Sequence, residues 1–173
     1  MVTTLIRLGV GFFSLISLAM AAFNGAIAHF AIVLQNRART DLVNVPHDRF
    51  DQIFEHLMSR VIVLSIILCV TSAVGAFSGG IFAVYQPLSL LWGLLIGQIV
   101  VFIANAILAG NVHGYKTSFT WFGKNDKYPY YDLIYYGSIA QMGWALLQVP
   151  CLVLCCCCRA RPRESQAEQP GEA

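Results

Sequence analysis

Apolar residues in this chain gather into four long stretches, Leu8 to Leu34, Val61 to Val84, Leu88 to Leu108 and Leu133 to Leu154, separated by polar segments. A helix rises about 1.5 Å per residue and a hydrocarbon core is roughly 30 Å thick, so each stretch predicts a membrane-spanning helix. The first is long enough to tilt or to enter the headgroups. Arg7 before it and Ala19-Met20-Ala21 within it resemble a secretory signal, but apolar character resumes after Asn24, which predicts an uncleaved span.

The connecting segments differ from one another. Between spans one and two, Phe50, Ile53, Phe54, Leu57 and Met58 recur at helical spacing opposite Asp48, Asp51, Glu55 and His56, with Pro46 suited to a first turn. This pattern predicts an amphipathic helical extension running into the second span. Spans two and three are joined by little more than Tyr85-Gln86-Pro87, which makes them an antiparallel pair. After span three, Tyr115, Thr117, Phe119 and Trp121 alternate with Lys116, Ser118 and Thr120. Gly123-Lys124-Asn125-Asp126 then offers a turn before Tyr128, Tyr130 and Tyr131. That alternation fits a short β-hairpin, and it fits an aromatic belt at the headgroups equally well.

The expected fold is therefore all-α: an integral membrane four-helix bundle over residues 1–158 and a disordered polar tail over 159–173. With 57% hydrophobic and 12% charged residues, the composition is that of a membrane protein. The net charge of +2, without a basic cluster interleaved with aromatics, gives no footprint for nucleic acid.

In lipid, helices associate through small residues and hydrogen bonds. Gly75 and Gly79 in span two, and Gly93 and Gly97 in span three, have the spacing for close approach, and at least one is expected where those two spans meet. Asn24, Gln98, Asn105, Gln141 and Gln148, together with His29, are costly if they face lipid, so they are expected to turn inward. Gln98 and Asn105 lie seven residues apart, as do Gln141 and Gln148, giving spans three and four one polar face each. Gln98 and Gln141 are each expected to find a hydrogen-bond partner. The sequence suggests no catalytic residues, cofactor or metal: His29 is a lone imidazole, His47 and His56 belong to an acidic helix face, and His113 is isolated.

Cys151 and the run Cys155, Cys156, Cys157 and Cys158 end span four and are followed by Arg159, Arg161 and Arg163. Thiols at a membrane boundary beside arginines are the pattern of S-palmitoylation. Acylation needs a cytoplasmic tail, and four spans then place the N-terminus there too. Basic residues argue the other way, with four (Arg7, Arg159, Arg161, Arg163) on that side against seven (Arg37, Arg39, Arg49, Arg60, Lys116, Lys124, Lys127) in the two loops. The arginines abutting the span carry more weight, because acids make loop one nearly neutral.

Four spans, a short central link, two larger loops on one side and a juxtamembrane cysteine cluster resemble the tetraspan organisers of the MARVEL type in architecture. The chain lacks the Cys-Cys-Gly motif of tetraspanins and the paired-cysteine first loop of claudins. The resemblance implies lateral organisation of membrane lipids and of other membrane proteins, or of the chain with itself, without catalysis, at the plasma membrane or in trafficking vesicles. A small channel or transporter subunit built on the polar faces, and a thiol-redox enzyme built on Cys155 and Cys158, are the competing classes.

Overall fold

The computed structural model describes residues 2–41, 49–85, 88–121 and 130–160, and all of them are helical. The helices are α1 (Val2–Asp41), α2 (Arg49–Tyr85), α3 (Leu88–Trp121) and α4 (Tyr130–Ala160). Each contains a segment long and apolar enough to cross a membrane: Ile6–Asn36, Ile53–Tyr85, Ser89–Tyr115 and Asp132–Cys155. Backbone polar groups in hydrocarbon must be satisfied internally, and a helix does this within one segment. Pro150 is accommodated inside α4.

The chain runs up and down in a ring. Gly25 lies against Cys69, and Gln35 Nε2 donates to Ser59 Oγ at 3.0 Å, so α1 and α2 are antiparallel. Gly97 against Thr71 sets the same relation between α2 and α3, and the rings of His113 and Tyr135, 5.6 Å apart, set it between α3 and α4. α4 closes the ring against α1 through side chains. The Phe13 and Trp144 rings are 5.7 Å apart, and Phe23 sits where a Cβ on Gly137 would be.

The interior is layered. Toward the loop-bearing end, Ile27, Leu57, Val61, Leu68, Val101, Leu108, Ile134 and Ala145 form the larger apolar core. Toward the cysteine-bearing end, Val10, Phe82, Leu91, Leu94, Leu95 and Leu152 form a smaller one. The outer surface is apolar as well, with Leu15, Val74, Phe77, Ile96 and Leu147 exposed, as a lipid-facing surface requires.

Two expectations need correction. Residues 115–121 continue α3 as helix, so the alternating segment is not the first strand of a hairpin. Thr117 Oγ1 donates back to the His113 carbonyl at 3.0 Å, and the helix continues unbroken from Gly114 to Trp121, whereas a lone hairpin is marginal. The turn residues 123–126 lie outside the described residues, as do Pro46 and residues 161–173. His29 does not turn inward: it is exposed beside Phe30 near the loop end of α1. At about 100° per residue His29 falls roughly 140° around α1 from the buried Asn24, and Ala28 and Ala31 take the inward positions beside it.

Candidate functional site: a polar layer in the bundle and a thiol edge

All five span residues Asn24, Gln98, Asn105, Gln141 and Gln148 are buried, and they form two nodes. In the first, Asn24 of α1 and Gln141 of α4 exchange a pair of amide hydrogen bonds. Asn24 Nδ2 donates to Gln141 Oε1 at 2.9 Å, and Gln141 Nε2 donates to Asn24 Oδ1 at 3.2 Å. Asn105 Nδ2 of α3 adds a longer bond to the same Gln141 oxygen at 3.4 Å. Asn24 and Asn105 also donate to the carbonyls of Met20 and Val101, one turn back on their own helices. Gln141 thus ties three helices together, and only Asn105 Oδ1 is left bare in this node.

The second node lies two turns toward the cysteine end. Gln148 is 1% exposed, yet neither its Nε2 nor its Oε1 has a hydrogen-bond partner. It lines a small cavity with Ser14 and Ser17 of α1, Gly75 and Gly79 of α2, and Gln98 of α3. The free space is about 10 Å³, close to what a single water occupies. Gln98, expected to be paired, makes no hydrogen bond to a described residue. Ser14 Oγ, on the same wall, donates to the Val10 carbonyl at 2.8 Å.

The four glycines serve different neighbours. Gly97 faces α2, where an added Cβ would stand 3.9 Å from Thr71 Cγ2, an ordinary van der Waals distance. Gly79 instead faces α1, where a Cβ would collide with Ser14 Oγ and come within 3.6 Å of Val10. Gly75 and Gly93 have open space where a Cβ would stand, and both line a groove of about 250 Å³ between α2 and α3. The groove and the cavity share Gly75, Leu94 and Gln98.

At the far end of α4, none of Cys69, Cys151, Cys155 and Cys157 is in a disulfide. Helical geometry separates the run: Cys157 is exposed, whereas Cys155 is half-buried against the smaller apolar core. The side chains of Cys156 and Cys158 lie outside the described ones. Cys151, one turn deeper, is also exposed.

These features define a class, a four-span helical membrane protein with a buried amide layer and thiols at one membrane edge. Compared with known proteins, the chain matches no family model, no curated protein and no solved structure.

Proposed function

We propose that this is a non-enzymatic tetraspan protein that organises lateral membrane domains or trafficking, acylated within Cys155, Cys156, Cys157 and Cys158. The observation that carries the reading is the exposed Cys157 thiol on the last helical turns of α4, two residues before Arg159 in the sequence. An acyl chain attached there enters the adjacent leaflet while the arginine meets anionic headgroups. Four spans already hold the chain in the bilayer, so the added lipid acts on lateral sorting and on the choice of neighbours rather than on anchoring. The MARVEL-like architecture agrees with that role. The segment before the second span suits a membrane boundary, with Phe54, Leu57 and Met58 turned inward and Glu55 and His56 exposed. The plasma membrane or trafficking vesicles is the expected location, with membrane lipids and other membrane proteins or a second copy as partners.

The second reading, a small channel or transporter subunit, draws on the unpartnered Gln148 and its cavity. Room for about one water between two apolar cores favours a packing layer over a path.

Acyl exchange on the protein from cells tests the proposal. Hydroxylamine-sensitive lipid is expected on the wild type and lost when the four cysteines become Ser, with Cys157→Ser removing more than Cys155→Ser. Wild-type protein with no hydroxylamine-sensitive lipid would refute it.

A further inference from the structure

An opening of about 450 Å³ lies between α2 and α3 near the loop-bearing boundary, lined by His56, Ser59, Arg60, Val63, Leu64, Ile107 and Asn111. Its lining is graded by depth. On α2, His56 and Arg60 are followed one turn on by Val63 and Leu64; on antiparallel α3, Asn111 is followed one turn deeper by Ile107. Arg60 immediately precedes the apolar stretch that starts at Val61, and Asn111 lies three residues beyond Leu108, where the stretch of α3 ends. Both helices thus change from polar to apolar at the same height. A charged side chain in hydrocarbon is costly, which places that height at the headgroups.

Arg60 is exposed and makes no ion pair with a described residue, and Glu55 does not line the cleft. Its guanidinium presents a planar fork of donors suited to a phosphodiester. Ser59 Oγ accepts from Gln35, which leaves its own proton to donate, and Asn111 Nδ2 spends one hydrogen on the Ile107 carbonyl and keeps the other. Donors at headgroup height stand above an apolar floor of Val63, Leu64 and Ile107.

We propose that this cleft holds one anionic phospholipid, its phosphodiester on Arg60 with His56, Ser59 and Asn111 around it, and one acyl chain along Val63 and Ile107. The apolar floor selects a lipid over a free anion, and a cation with no acidic partner among the described residues selects a charged headgroup over a neutral one. The site lies at the opposite end of the bundle from the cysteines, and a cytoplasmic acylated tail sets it in the other leaflet, so binding is read on the purified protein, apart from acylation and leaflet composition.

The test is native mass spectrometry of the full chain released from detergent with chain-matched phosphatidylserine, phosphatidylcholine or diacylglycerol. One phosphatidylserine per chain is expected to be retained in preference to phosphatidylcholine, with diacylglycerol weakest and inorganic phosphate unable to displace it. Arg60→Gln should lower phosphatidylserine retention about five- to tenfold, and Arg60→Lys should lose less. Val63→Trp fills the floor with the charge intact and should also lower retention, which keeps the test decisive if Arg60→Gln fails to fold. Equal retention by the wild type and a folded Arg60→Gln, or by diacylglycerol and phosphatidylserine, would overturn the proposal. So would displacement by inorganic phosphate, which marks a plain anion site, or a dimer through this face that excludes lipid.

Discussion

The two amide nodes arise from one sequence pattern, residues seven apart on α3 and on α4, yet they end in opposite states. At the loop-side node Gln141 meets Asn24 across 2.9 Å and Asn105 across 3.4 Å. At the cysteine-side node Gln148 meets nothing with either end of its amide. The difference comes from α1. At the level of Gln141 it presents an amide, which can donate and accept at once, whereas at the level of Gln148 it presents the short hydroxyls of Ser14 and Ser17. Ser14 has already turned its proton to its own backbone. Reach alone does not make a pin, since Gln98 of α3 lines the same cavity and still leaves both ends of the Gln148 amide unmet.

Matched substitutions break this comparison most directly. Gln141→Met, which keeps length and removes the amide, strands Asn24 Oδ1 and costs Asn105 its interhelical bond. A loss of about 1–3 kcal/mol in unfolding free energy is expected. Gln148→Met removes a buried amide that makes no bond to the protein, so no loss and a gain of about 1 kcal/mol is expected. Reversible unfolding in mixed micelles measures both. If the two cost the same, a water in the 10 Å³ cavity holds Gln148 as firmly as Asn24 holds Gln141, and the contrast between the nodes disappears.

Gly79 sharpens the point from the other side of the cavity. Gly79→Ala should destabilise the α1–α2 pairing by roughly 1 kcal/mol, because the new methyl must push Ser14 off its bond to Val10. Gly75→Ala meets open space and should be nearly silent in the same unfolding measurement. The reverse order would mean that the glycines of α2 serve the α2–α3 groove and not α1.

The spans and the inward turn of the five amides were legible because a bilayer leaves few options. Long apolar stretches become helices, and strongly polar groups inside them avoid lipid. The partners were not legible, since spacing along one helix says which face a residue occupies and nothing about what stands opposite. Gly79 and Gly93 have the same GxxxG credentials, but one is pressed on Ser14 and the other is open. The period-two alternation at 115–121 misled for a related reason: α3 was already a continuous helix when it reached Tyr115, and extending it is easier than starting a hairpin. His29 misled because the cost of a polar ring in lipid argues for an inward turn, whereas helical spacing sets it on the face away from Asn24.

The central claim is that the amide layer packs the bundle and conducts nothing, leaving the work of the protein to its perimeter. Ion flux through the purified protein in sealed proteoliposomes tests it most directly, with the wild type and Gln98→Leu compared at equal thermal stability. The account predicts potassium and proton flux no greater than in protein-free vesicles for both. A wild-type conductance that Gln98→Leu abolishes without loss of stability would contradict it and make the polar layer a path.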